Sequence, residues 1–480
     1  MDTPPCAFVI FGITGDLSAR KLMPALYALH RTEALNPETQ IVGFSRRDWS
    51  DDDLREEMKK ALQEYDADNF DEESWGTLAP RFSFVSGSYT EAETFKNLKE
   101  HLDKLELKNH IFYTSTPPGT YEAIVENIGK AGLNKAEGST RLVIEKPFGH
   151  DLESAKKLND VVQSTFEEDQ IYRIDHYLAK ETAQNIAALR FANTIFEPTW
   201  SAQYVDHVQV TMAEPIGIGG RGSFYEDAGV IRDVFQNHLL QLVALTATEP
   251  PSRYDAKSVR DEKVKVFQAM SCVNPSQAVI GQYAGNGEAK AYRAEEGVAK
   301  DSRQGTYAAV ELRIENWRWA GVPFFVRGGK RLKSKSSEIV VVYRRPPHVP
   351  FQLEKPVKQD RMILRLVPNE GITLRFDAKR PGQGINLTKA SMDFYYDQEF
   401  NRGNPDAYET LIQDAMMGDP TLFMRADEVE SQWRIVKPLL EMWENSTDEP
   451  AFYEPGTWGP DEANELLASQ GRSWHTPATE

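Results

Sequence analysis

Two hydrophobic periods divide this chain, and the change between them near residue 200 restricts the available folds more than any other feature. In the first part, short apolar runs at Cys6–Phe11, Gln40–Ser45, Arg81–Ser86, His110–Ser115 and Arg141–Glu145 read as strands. Between them lie helix-period segments at Leu17–His30 (where Pro24 bends or restarts the helix), Asp51–Tyr65, Glu91–Leu105 and Tyr121–Ala131. Strand alternating with helix predicts a doubly wound parallel sheet covered on both faces. Later the period becomes two: Val208, Val210 and Met212; Val310, Leu312 and Ile314 among Glu311, Arg313 and Glu315; Ile372, Leu374 and Phe376 around Thr373 and Arg375. This predicts a large, mainly antiparallel sheet with one face wetter than the other. Helical patterns return at Ala407–Met417 and Glu428–Trp443, and the proline-rich stretch Pro346–Pro356 is expected to be a loop or edge. Two domains are therefore expected, α/β over 1–177 and α+β over 178–480, consistent with 480 residues at ~150 per domain.

The net charge of −18 argues against broad binding to nucleic acid or an anionic membrane, which needs excess Lys and Arg. Local basic sites for a phosphorylated small molecule stay open. No apolar stretch approaches the ~20 residues that span a bilayer, and Met1-Asp2-Thr3-Pro4-Pro5 lacks the basic region of a signal peptide. Two cysteines, Cys6 and Cys272, make neither a disulfide framework nor a metal-ligand spacing. A cytoplasmic location is expected, with no metal.

The first strand ends in Gly12-Ile13-Thr14-Gly15-Asp16-Leu17, immediately before a helical pattern. Glycines there permit a tight turn and let backbone N–H groups approach a pyrophosphate at the positive end of the helix. The spacing is Gly-x-x-Gly rather than Gly-x-Gly-x-x-Gly, so a purely structural turn has even standing on the motif alone. The second strand ends in Ser45-Arg46-Arg47, where an NAD site would place an acid; guanidinium groups suit a 2′-phosphate, so NADP is expected, with NAD as a secondary acceptor given Asp48. The N-terminal domain is read as Rossmann-like.

Three later segments concentrate chemistry: Glu145-Lys146-Pro147-Phe148-Gly149; Arg173-Ile174-Asp175-His176-Tyr177-Leu178-Ala179-Lys180-Glu181; and Arg232-Asp233-Val234-Phe235-Gln236-Asn237-His238. If 231–245 is one helix, Ile231, Val234, Phe235, Leu242 and Leu245 form its apolar stripe and His238 falls in the middle. Pattern alone favours a core histidine bonded to backbone. Asp233 would then point ~140° away from His238, so a break near Gly229 is needed if both serve one pocket. Together with Arg327-Gly328-Gly329-Lys330 and Gly456-Thr457-Trp458-Gly459, these segments resemble the glucose-6-phosphate dehydrogenase family from about residue 6 to the C-terminus.

That resemblance implies hydride transfer from C1 of the sugar to NADP, with His238 as general base and Asp175 orienting its imidazole. It implies phosphate binding by His176, Tyr177 and Lys180, the first and last lying on one face if the segment is helical. Lys330 and Lys335 add positive charge near the sugar, and Glu214 and Asp233 accept from its hydroxyls. Lys146 bridges substrate and cofactor, while Gly12, Thr14, Gly15, Asp16, Leu17, Lys21, Arg46, Tyr89 and Tyr121 line the cofactor side. A homodimer or homotetramer built on the large sheet is implied as well. Two other readings are a sugar oxidoreductase of similar layout without the phosphate trio, and a non-catalytic NADP-binding sensor, which loss of His238 or Asp175 would favour.

Overall fold

The computed structural model describes residues 3–272, 274–353, 356–400 and 405–477 and divides into two units. The first comprises Met1–Ala179, Ser252–Arg260 and Pro405–Glu430; the second comprises Lys180–Pro251, Asp261–Asn404 and Ser431–Glu480.

The first unit is built on six parallel strands, β1 (Ala7–Phe11), β2 (Gln40–Ser45), β3 (Phe82–Ser86), β4 (His110–Thr114), β5 (Thr140–Ile144) and β6 (Ile171–Arg173), in the order β3-β2-β1-β4-β5-β6. Every residue of β1 is buried, as a central strand covered on both faces requires. The predicted runs match these strands to within a residue or so, except that β6 was not expected. It is only three residues long, too short for any period to register, so Glu145-Lys146 follows the fifth of the six strands. The first helical segment splits as Pro24 foretells: a π-helical turn over Ser18–Leu22, then an α-helix over Met23–Arg31 with the proline in its first turn. Leu411, Ile412 and Met416 of the helix Ala407–Met417 join Phe8, Ile10 and Ile111 in the core of this unit. The sheet order reverses between β1 and β4, the place where doubly wound sheets open a crevice at their carboxyl ends.

The second unit carries a ten-stranded sheet: β7 (Val205–Ala213), β8 (Met270–Cys272), β9 (Val279–Tyr283), β10 (Tyr307–Ile314), β11 (Phe324–Gly329), β12 (Ser336–Tyr343), β13 (Arg361–Val367), β14 (Gly371–Lys379), β15 (Leu387–Tyr395) and β16 (Ala451–Tyr453). Its order is β15-β14-β13-β12-β7-β11-β10-β9-β16, with β8 beside β10; β7–β11 and β9–β16 are parallel and the remaining pairs antiparallel. The expected wet face is missing on β7, where His207, Gln209 and Thr211 are buried. Each has a polar partner instead: Asp206 for His207, the Ser473 carbonyl for Gln209, and Arg327 for Thr211. On β14 the pattern inverts, with Thr373 buried and Ile372, Leu374 and Phe376 only half-buried. The stretch 346–356 holds no helix or strand at its described positions; Glu354 and Lys355, like Met1 and Asp2, lie outside the described residues. Among the described residues no helix is long and apolar enough to cross a membrane.

Candidate active site

In the first unit the glycine turn closes the carboxyl end of β1. Gly12 has φ +79°, and a Cβ there would sit 2.2 Å from the Ser115 carbonyl oxygen at the end of β4. Only glycine fits that approach. The Ser18 hydroxyl donates to the Gly12 carbonyl (3.1 Å) and to Ser115 Oγ (3.0 Å), fixing the turn from behind. Neither serine stood out in the sequence, because their meeting depends on the β1–β4 switch. Tyr89 stacks on Phe44 at 6.0 Å, and burial raises its phenol while the Arg46 guanidinium and the Gly12 backbone pull it down. Gly12, Arg46 and Tyr89 thus share one locality, with Arg46 exposed to solvent. Thr14 and Gly15 lie on the turn itself, Thr14 exposed and Gly15 donating its N–H to the Gly12 carbonyl at 2.9 Å. Asp16 faces water beside Arg20 at 3.1 Å, and Leu17 packs against the core. Lys21 is exposed and pairs with Asp406 at 3.0 Å.

Beyond β5, Glu145 is buried and its carboxylate accepts from the Tyr113 hydroxyl at 2.5 Å. The Tyr121 hydroxyl donates to the Glu145 carbonyl at 3.1 Å, so Tyr121 braces the backbone that carries Lys146. Burial pushes the Glu145 carboxyl up, against the opposing pull of the Tyr113 and Tyr408 hydroxyls and of Lys146. Tyr408 arrives from the helix Ala407–Met417 and stacks on His176 at 6.3 Å with 16° between the rings. Asp175 is fully buried, and its Oδ1 accepts the Tyr177 N–H at 3.0 Å, an Asx turn. The helical spacing expected for His176 and Lys180 is absent. Residues 176–179 form turns, Lys180 is extended (φ −68°, ψ 130°), and the helix begins at Glu181.

In the second unit a buried cation meets two carboxylates. Lys330 Nζ lies 2.5 Å from Glu214 Oε2 and 3.4 Å from Asp233 Oδ2, and 5.3 Å from the centre of the Tyr225 ring. Glu214 follows β7 and Lys330 follows β11; the parallel register Gly329↔Ala213 puts the two ends side by side. Lys335 is exposed. Asp233 and His238 lie on a helix that is wound differently from the expectation. Gly229 breaks the preceding helix (φ 57°, ψ 178°), and Ile231–Leu239 is π-helical before an α-helix takes over at Leu240. With i→i+5 closure, residues five apart return to nearly the same face. The ~140° divergence expected of an α-helix is thereby much reduced. His238 is 3% exposed. A lysine flanked by two carboxylates has acceptors enough for the hydroxyls of a polyol, and neutral imidazole can accept a proton near pH 7.

Two family models cover the chain. "Glucose-6-phosphate dehydrogenase, NAD binding domain" matches residues 9–185, and "Glucose-6-phosphate dehydrogenase, C-terminal domain" matches residues 187–475. Among curated relatives, glucose-6-phosphate 1-dehydrogenase 2 of Mycobacterium tuberculosis (strain ATCC 25618 / H37Rv) is 45% identical, covering 98% of this chain and 95% of its own. The Aggregatibacter actinomycetemcomitans glucose-6-phosphate 1-dehydrogenase is 41% identical, over 100% and 99%. A solved glucose-6-phosphate dehydrogenase in complex with glucose 6-phosphate superposes with TM-score 0.92 at 36% identity, over 99% of this chain and 100% of that one. The Mycobacterium avium glucose-6-phosphate 1-dehydrogenase structure gives 0.89 at 36%, over 100% of both chains.

Proposed function

The chain belongs to the glucose-6-phosphate dehydrogenase family, and from that premise we propose that His238 is its general base and Asp175 the group that orients it. The activity is oxidation of D-glucose 6-phosphate to 6-phospho-D-glucono-1,5-lactone, the first step of the oxidative pentose phosphate pathway. In that step the C1–H bond gives its electron pair as hydride to a nicotinamide cofactor, which supplies the redox chemistry when bound. The C1 hydroxyl loses its proton to the His238 imidazole, and the C1=O bond of the lactone forms. A carboxylate at Asp175 selects the imidazole tautomer and stabilises the imidazolium as it appears.

The observation that supports this reading is the π-helical winding of 231–239, because i→i+5 closure spans five residues per turn and His238 follows Asp233 by five. Glu214 and Asp233, held by Lys330, accept from sugar hydroxyls, and His176, Tyr177 and Lys180 take the phosphate. Lys335 supplies outlying positive charge. The Gly12–Gly15 turn, which leads straight into the helical segment from Ser18, suits a pyrophosphate, and Lys146 reaches between cofactor and sugar. Arg46 selects NADP over NAD by its charge against a 2′-phosphate. Both cysteines are free thiols, in keeping with a reducing cytoplasm, and the protein acts as a homo-oligomer.

The test is an absorbance assay at 340 nm with glucose 6-phosphate. His238→Asn is expected to lose ~10²–10⁴-fold in kcat, and Arg46→Ala to raise the KM for NADP and leave that for NAD unchanged. An active His238→Asn enzyme would remove the base assignment.

A further inference from the structure

The unusual winding of 231–239 has two identifiable supports outside the residues assigned to substrate and proton transfer. At its start, the Gln304 carboxamide packs against Gly229, where a Cβ would lie 2.2 Å from Gln304 Oε1. Gln304 Nε2 donates to the Glu226 carbonyl before the break (2.7 Å), and the Val230 N–H donates to the Gly305 carbonyl after it (2.9 Å). One short segment thus grips both sides of the break. In the middle of the helix, Asn237 Nδ2 donates to the Arg232 carbonyl five residues back (3.1 Å), and Asn237 Oδ1 accepts the His238 N–H (2.7 Å). The asparagine thereby satisfies backbone groups on the turn that links Asp233 to His238.

A pocket of about 290 Å³, lined by Glu226, Val230, Ile231, Gln304, Leu440 and Trp443, lies beside the helix start. The same segment also sets the lysine. The Thr306 carbonyl accepts the Lys330 N–H at 3.0 Å, and the Tyr453 hydroxyl, 2.9 Å from Thr306 Oγ1, donates to the Lys330 carbonyl at 2.7 Å.

We infer that Gln304 and Asn237 are positioning residues, which hold 231–239 in i→i+5 register and so keep His238 and Asp233 on one face during catalysis. The inference rests on the assignment of His238 as base. An α-helical rewinding would swing the two side chains ~140° apart. Of the residues assigned to the sugar only Asp233 lies on this helix, while the phosphate ligands and Glu214 lie off it, so the loss should fall on kcat more than on KM.

The experiment compares Gln304→Met and Asn237→Leu, near-isosteric and without the hydrogen bonds, with His238→Asn in the full-length enzyme. Each positioning variant is expected to lower kcat by about tenfold or more, with the KM for glucose 6-phosphate within about threefold of wild type, and with NADP titrating as before. A variant that binds NADP normally and keeps kcat within about twofold overturns the inference. Should Gln304→Met fail to bind NADP, Gln304→Glu takes its place, retaining the acceptor for the Gly305 N–H (3.2 Å) and losing the donor to the Glu226 carbonyl. Should Asn237→Leu fail, Asn237→Asp takes its place, retaining the acceptor for the His238 N–H and losing the donor to the Arg232 carbonyl; the same kcat criterion decides. An active His238→Asn enzyme sinks the base assignment, whereas an inactive one beside fully active Gln304→Met and Asn237→Leu sinks this inference alone.

Discussion

At Lys330 one ammonium, 2% exposed, answers two carboxylates. Removing it takes that charge away from both Glu214 and Asp233. Breaking a fully buried pair costs ~3–5 kcal/mol, but Glu214 remains 40% exposed and water screens it. Lys330→Met is therefore expected to destabilise the protein by a smaller amount, about 1–3 kcal/mol by urea unfolding, and to raise the KM for glucose 6-phosphate at least about tenfold. A KM unchanged in a folded variant would take Lys330 out of the sugar site. Lys330 and its Glu214 partner are 116 residues apart, and no local pattern connects them. The family resemblance named both, but their contact comes from the parallel pairing of β11 with β7. Asp175 shows the opposite case, since its Oδ1 bonds the Tyr177 N–H only two residues on, a contact of neighbouring positions.

At the scale of elements, local signals worked where one period ran for a whole segment and failed where the winding changed inside it. The strand–turn–helix at Gly12 belongs to the first kind: the glycines, the apolar run and Pro24 all pointed to the structure found. Gly12→Ala should be severe, because φ +79° is unfavourable for alanine and the new methyl meets the Ser115 carbonyl. The expected result is loss of NADP binding by fluorescence titration, together with a thermal midpoint lowered by several degrees; normal NADP affinity would mean that the turn is structural only. The segment 231–245 belongs to the second kind. A 3.6-residue period gave the buried stripe and the place of His238 in it, yet it could not reveal i→i+5 closure. The conflict over Asp233 was the one visible trace of the π-helical register. Gly229 and Asn237 were the residues that could have resolved it, the first by its freedom at φ 57° and the second by its side-chain bond to the Arg232 carbonyl.

For the whole molecule, the sequence separated two sheets but could not foresee that 252–260 and 405–430 group with the N-terminal unit. Apolar faces such as Leu411, Ile412 and Met416 announce burial without naming the partner. That grouping carries a pH effect. Burial, aided by Asp419, pushes the Asp414 carboxyl from 3.8 up to about 7. Between those values the folded chain holds a proton that the unfolded chain releases, so this contribution to stability declines as pH rises and is gone above about 7. Asp414→Asn should gain on wild type progressively over that range, by ~2–4 °C in thermal midpoint on the alkaline side; an equal midpoint difference at pH 4 and pH 8 would contradict the assignment. The last expectation concerns the outer sheet. Register pairs Ile372 with Phe394, Leu374 with Met392 and Phe376 with Ala390, which puts six apolar side chains on one face of β14 and β15. Met392 is 63% exposed and the β14 residues are half-buried, while Met362 and Leu364, their counterparts on β13, are buried. An apolar face that opens toward a sheet edge is unfavourable in water and prone to pairing. A second copy of the chain is the occupant that the homo-oligomer reading supplies. Light scattering after size exclusion should then return at least twice the 54.4 kDa of one chain, and Met392→Glu should shift the population toward monomer at low micromolar concentration. A wild-type monomer would leave this face without its expected cover, and an unshifted Met392→Glu oligomer would move the interface elsewhere on the molecule.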